Sequence, residues 1–188
     1  MSTKILAITG PTCSGKTTLA KELEKTGVFR PLMGFTTRAP RKEEVPDIDY
    51  KFLSVDEAKN TIESGEAVEH VYFNGNYYGI LKSEVEYSKS LGKASTVILE
   101  PGGLTQFKNL YKDQVISVFL DTPMQEMLER FLRRFAVDSP SDIQYYAKRL
   151  QGLFVEASTW RNTVKWDFCF SCTEFSLPKI VDFLVKVI

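Results

Sequence analysis

The chain has 188 residues, 43% of them hydrophobic, and its 24 basic and 24 acidic side chains cancel to a formal net charge of zero. That length and apolar content suit one domain around a sizeable core, and the lack of a net field argues against nucleic acid as a partner. No apolar run approaches the ~20 residues of a membrane span and no signal-peptide pattern opens the chain, so a soluble, cytoplasmic protein with no membrane partner is expected.

In chain order, Lys4 to Thr9 is rich in β-favouring residues, and Thr18 to Lys25 sets Leu19 and Leu23 one helical turn apart. Between them, Gly10-Pro11-Thr12-Cys13-Ser14-Gly15-Lys16-Thr17-Thr18 fits G-x-x-x-x-G-K-[ST]. Strand, glycine-rich loop and helix in that order predict a triphosphate cradle. Backbone N–H groups and the helix N-terminus would face the phosphates, Lys16 would reach the outer ones, and Thr17 would place its hydroxyl on Mg²⁺. Cys13 puts a thiol inside that loop, where modification would block nucleotide binding.

The segment Gly34 to Leu81, with its tyrosines and the turn signal Asn74-Gly75-Asn76, reads as an inserted, partly antiparallel lobe. Strands at Thr96 to Glu100, Val115 to Leu120 and Asp167 to Ser171 alternate with helices, the pattern of a parallel sheet. Ser54-Val55-Asp56-Glu57 and Thr122-Pro123-Met124-Gln125 both fit capping boxes, the second with proline at the first helical position. Arg130, Arg133, Arg134, Lys148 and Arg149 crowd a helix-turn-helix pattern that reads as a solvated face or a lid, and Ser139-Pro140 marks the start of its second helix, which runs to about Trp160. The last helix, from about Leu177, carries Ile180, Val181, Leu184, Val185 and Ile188 on one face, as core packing requires. Three cysteines are too few for a disulfide framework. Cys169 and Cys172 form a C-x-x-C on a strand-like run, where positions three apart face opposite sides, so buried strand cysteines are expected rather than a metal or redox pair. His70, the single histidine, is expected to pack and is assigned no catalytic role.

Phe35-Thr36-Thr37-Arg38-Ala39-Pro40-Arg41, then Glu44-Val45, Asp49-Tyr50-Lys51-Phe52 and Gly75-Asn76-Tyr77-Tyr78-Gly79, resemble the nucleotide-binding lobe of guanylate kinases, and the resemblance runs from the phosphate loop to about Ser171. It implies an α/β, three-layer P-loop NTPase fold with a central parallel sheet, an inserted monophosphate-binding lobe and an arginine-rich lid. On that reading residues 1–33, 82–122 and 150–188 are core, 34–81 the lobe and 123–149 the lid of a single domain. The implied reaction is Mg·ATP-dependent, in-line phosphorylation of a nucleoside monophosphate, GMP or dGMP, by a monomer or homodimer.

The resemblance assigns the acceptor phosphate to Arg38, Arg41, Tyr50 and Tyr78, and forked guanidinium groups suit a dianion. Lys16, Arg130, Arg134 and Arg149 would surround the migrating group with positive charge. Guanine offers two adjacent donors, N1–H and the 2-amino group, which Glu69 matches with a carboxylate, with Glu100 as a second acidic contact. Thr17 and Glu100 would hold Mg²⁺, directly or through water. Gly34 and Ile80 stand where the family usually carries hydroxyls for the guanine 6-oxygen. Ile98 stands for an aspartate near the metal, Cys13 for a loop glycine, and Ser171 for an asparagine near the donor adenine. These departures leave open a kinase for a different or modified nucleoside monophosphate. A catalytically inert guanylate-kinase-like binding module is the alternative of another class, and intact Gly15, Lys16, Thr17 and lid arginines argue against it.

Overall fold

The computed structural model describes residues 3–40, 44–73, 75–138 and 143–188. β1 (Ile5–Thr9) leads through the glycine-rich loop into α1 (Lys16–Lys25), followed by β2 (Phe29–Pro31), β3 (Gly34–Thr36), β4 (Tyr50–Phe52), α2 (Val55–Glu63), β5 (Ala67–Phe73) and β6 (Asn76–Leu81). The chain continues through α3 (Lys82–Ser90), β7 (Ala94–Ile98), α4 (Pro101–Tyr111), β8 (Val115–Asp121), α5 (Met124–Asp138), α6 (Ile143–Thr159), β9 (Phe168–Ser171) and α7 (Leu177–Val187).

Five strands form a parallel sheet in the order β2-β7-β1-β8-β9. All of β1 is buried, because strand alternation divides it between two cores. Leu6 and Ile8 pack with Leu19 and Leu23 of α1 and Ile180 and Leu184 of α7. Ile5 and Ala7 face the other way, onto Leu104 and Phe107 of α4. The result is three layers, with the phosphate loop at the carboxyl end of the central strand, where open α/β sheets bind ligands.

A second sheet, of order β4-β3-β6-β5, comes from the segment expected to break the alternation. β3 pairs parallel with β4 and antiparallel with β6, and β6 pairs antiparallel with β5. Gly79 permits close packing here, since a Cβ on it would lie 2.5 Å from both the Glu69 carbonyl oxygen and the Phe35 ring.

The capping box at Ser54 forms: its hydroxyl accepts from the Glu57 N–H, and the Glu57 carboxylate accepts from the Ser54 N–H. At the head of α5 the two side chains of the expected box bond elsewhere, one across the fold and one within the helix. The Thr122 hydroxyl donates to the Ser14 carbonyl at 2.9 Å and the Gln125 amide donates to Glu129. β7 ends at Ile98, short of the expected Glu100, because Glu100 caps α4 with Pro101 at its first turn. Cys169 is exposed, contrary to the expected burial. β9 is an edge strand whose Phe168 and Phe170 turn inward onto Phe183, which leaves Cys169 on the open face; Cys172 is half-buried. Ser139, Pro140 and Asn74 lie outside the described residues, among which no helix is long and apolar enough to cross a membrane.

Candidate active site

The phosphate loop depends on glycine at two places. A Cβ on Gly10 would lie 2.6 Å from the Ser14 hydroxyl and 2.9 Å from the Leu120 carbonyl, while Gly15 caps α1 with φ +102°. Cys13 is in the left-handed region at φ +64°. The Lys16 ammonium donates to the carbonyl oxygens of Gly10 at 2.6 Å and Pro11 at 2.8 Å, closing the loop on itself. Burial of that ammonium, helped by Arg149, pulls its pKa down to about 8 against the opposing pull of Glu156, Cys13 and Glu100. Burial also pushes the Cys13 thiol up, overcoming Arg134, Lys16, Arg149 and Arg130, so the thiol stays protonated and a weak nucleophile at neutral pH. Thr17 and Thr18 are exposed at the first turn of α1.

α5 and α6 bring their arginines to this loop. Arg130 donates to the Cys13 carbonyl at 3.2 Å and pairs with Glu126 at 2.7 Å. Arg149 donates to the Thr12 hydroxyl at 3.2 Å, and its guanidinium lies 5.3 Å from the centre of the Phe73 ring, at the end of β5. One guanidinium therefore touches both the phosphate loop and the second sheet. Arg134 lines a small hollow with Thr12, Cys13, Tyr145, Tyr146 and Arg149.

Glu156 is a site residue that sequence reasoning missed. It is only 6% exposed, and its carboxylate accepts the Thr12 N–H at 2.6 Å. Seven residues beyond Arg149, two helical turns, it shares that residue's face of α6. A carboxylate in the apolar run Leu153-Phe154-Val155-Glu156-Ala157 was the available signal, because a buried acid needs a partner.

In the second sheet the pairing register sets Tyr50, Gly34, Ile80 and Glu69 in one cross-strand row. Tyr78 and Thr36 lie two residues further along their strands and therefore on the same face. Arg38 lies 5.2 Å from the Tyr50 ring and makes a two-pronged bond to Glu44, both contacts 2.6 Å. Burial works against the Arg38 charge, but Glu44 outweighs it and raises the pKa. Arg41 lies outside the described residues.

Glu69 is 7% exposed, and its pKa rises to about 7 through burial first and the charge of Glu100 second. Gly103 of α4 makes room for it: a Cβ there would lie 3.0 Å from Glu69 Oε2. The Glu100 carboxyl is also raised, by burial and then by Glu156, against Lys16 and Arg149. Ile98 is 41% exposed where β7 ends. Among the described residues no three acidic, histidine or cysteine side chains gather as a metal cluster. Mg²⁺ bound to a nucleotide needs only one or two protein oxygens besides phosphates and water, and the exposed Thr17 hydroxyl and the Glu100 carboxylate are oxygen donors of the kind it would take.

A parallel sheet between two helical layers with a phosphate loop at its carboxyl edge, and a second sheet bridged to that loop by Arg149, define the P-loop nucleotide-kinase class. Residues 2–165 match the guanylate kinase family model. The chain is 35% identical over 155 residues to the guanylate kinase of Chlamydia caviae, covering 81% of this chain and 74% of that one. It is 31% identical over 158 residues to the guanylate kinase of Anaplasma phagocytophilum, covering 82% and 73%. The fold is similar to the crystal structure of guanylate kinase from Anaplasma phagocytophilum, with a TM-score of 0.71, 24% identity, and coverage of 99% of this chain and 84% of that one. The chain belongs to the guanylate kinase family and is a nucleoside monophosphate kinase.

Proposed function

We propose a residue-level account of the ATP-dependent phosphorylation of GMP to GDP by this chain, with dGMP as a second acceptor. The donor phosphates enter the loop from Gly10 to Thr18, and Lys16 exchanges its two carbonyl partners for phosphate oxygens. Mg²⁺, held through Thr17 and Glu100 directly or by way of water, would neutralise donor phosphate charge. Arg38, Arg41, Tyr50 and Tyr78 hold the acceptor phosphate. Arg130, Arg134 and Arg149 approach the migrating group from α5 and α6 as a lid that excludes water, which would otherwise hydrolyse the donor.

Glu69 and Glu100 read the base. A carboxylate accepts guanine N1–H and 2-amino donors together, whereas adenine presents an acceptor at N1 and leaves the site's acids unpaired, at a penalty of about 1–3 kcal/mol or more. The observation that carries this reading is a buried carboxylate in the same cross-strand row as Tyr50 and beside Gly103 of α4. Its test is ADP release from Mg·ATP with GMP, dGMP, AMP, CMP, UMP, dTMP and IMP. Selective turnover of GMP and dGMP is expected; equal turnover of AMP would overturn the base assignment.

A further inference from the structure

Glu69 and Glu100 do not bear on all of the purine edge equally. Glu100 caps α4, and Gly103, against which Glu69 is seated, lies three residues further along the same helix. A 2-amino group shared by the two acids therefore faces α4. With N1–H and the 2-amino group on these acids, position 6 would lie on the other side of N1, and the residues beside Glu69 in its cross-strand row are Ile80 and then Gly34.

Neither of those residues carries a side-chain donor. Ile80 is buried, and its Cδ1 would lie 3.5 Å from a Cβ built on Gly34. The same Cβ would lie 3.1 Å from the Gly79 carbonyl oxygen and 3.3 Å from the Tyr50 ring, which leaves little space for a larger side chain at position 34. The Thr36 hydroxyl is two residues further along β3 and accepts the Arg38 N–H at 3.3 Å, on the phosphate side of the site. An oxygen at a 6-edge set against Ile80 and Gly34 would lose its water without gaining a side-chain donor.

We infer that this kinase selects its acceptor by the N1–H and 2-amino pair and is indifferent to the 6-substituent, so that its substrate class is the 2-aminopurine nucleoside monophosphates bearing N1–H, 6-thioxo as well as 6-oxo. The inference rests on the assignment of Glu69 and Glu100 to the base. A site built to donate to the 6-oxygen would penalise sulfur, a poor acceptor, whereas a wall of Ile80 and Gly34 has no bond to lose.

The experiment compares kcat/KM for GMP, 6-thio-GMP and IMP under saturating Mg·ATP, in the wild type and in Ile80→Thr. In the wild type 6-thio-GMP is expected within about threefold of GMP, and IMP, lacking the 2-amino group, at least about a hundredfold lower. Ile80→Thr restores a hydroxyl and should raise the GMP to 6-thio-GMP ratio about tenfold, the worth of one hydrogen bond. That ratio is internal to each protein, so partial loss of folded variant does not affect it. A wild-type ratio above about thirtyfold overturns the inference, as does a ratio unmoved by Ile80→Thr. If instead GMP itself is inert while another monophosphate turns over, the assignment of the base to Glu69 fails, and that result is distinct from either of these.

Discussion

Glu69→Gln separates what the buried carboxylate does for recognition from what it does to stability. The carboxylate offers two acceptors to N1–H and the 2-amino group, whereas the amide offers one and turns a donor toward the other. Losing a charge-assisted bond and burying a mismatched donor costs about 3–5 kcal/mol, or two to three orders of magnitude in kcat/KM for GMP. Stability should move the other way. The Glu69 pKa rises from 4.5 to about 7 on folding, so between those values the folded state keeps a proton that the unfolded chain has released. Stability therefore falls as pH rises through that window, by about 3 kcal/mol at most. Glutamine removes this loss: the variant should melt near the wild type at pH 4.5 and above it at pH 8. In the wild type, kcat/KM for GMP should fall about tenfold per pH unit below pH 7, as protonation removes one acceptor. The measurements are Tm and steady-state kinetics from pH 4.5 to 8.5. Wild-type kcat/KM in Glu69→Gln, or a Tm difference independent of pH, would refute the assignment.

Lys16→Ala should lower kcat by at least about three orders of magnitude, the scale of losing a cation from the migrating phosphoryl group, and near-normal turnover would count against its role. Because its pKa is lowered to about 8 in the free protein, the cation is lost above that pH, and kcat/KM for ATP should decline there; a flat profile to pH 9.5 would contradict this. Gly103→Ala pushes a methyl group to 3.0 Å from Glu69 Oε2, so KM for GMP should rise about tenfold or more with KM for ATP little changed; an equal rise in both would show a general distortion instead. Glu156→Ala strips the Thr12 N–H of its partner and removes a counter-charge from Lys16, which should cost about 2–4 kcal/mol of stability by denaturant titration, with Glu156→Gln recovering part of it.

Local signals in the sequence were enough for the elements whose causes are local. The phosphate loop, the Ser54 capping box and the apolar face of α7 each depend on residues within a few positions of one another, and each forms as expected. The Thr122 box did not form, because its hydroxyl found an acceptor at Ser14, 108 residues away, and no window along the chain contains that competition. Cys169 was misjudged for a similar reason: a strand pattern does not say that the strand is at an edge. The row Tyr50, Gly34, Ile80 and Glu69 spans four strands, so only the register could set these residues side by side. Glu156 and Gly103 matter through contacts with Thr12 and Glu69, which are distant in sequence and invisible to motif spacing.

A common device accounts for a phosphate-handling cleft in a chain of zero net charge. Lys16 is held by the carbonyls of Gly10 and Pro11, Arg38 by Glu44, Arg130 by Glu126 and the Cys13 carbonyl, and Arg149 by the Thr12 hydroxyl and the Phe73 ring. Each of these four cations is thus matched to protein oxygen or a ring face before substrate arrives, and phosphates must exchange for those partners. The exchange favours ligands that present several phosphate oxygens in the right geometry over a single free anion, because one anion replaces only one such set of bonds. It also ties the phosphate loop to α6, since Thr12 is gripped from that helix through its hydroxyl by Arg149 and through its N–H by Glu156. A shift of α6 would therefore be passed directly to the phosphate loop through these two bonds.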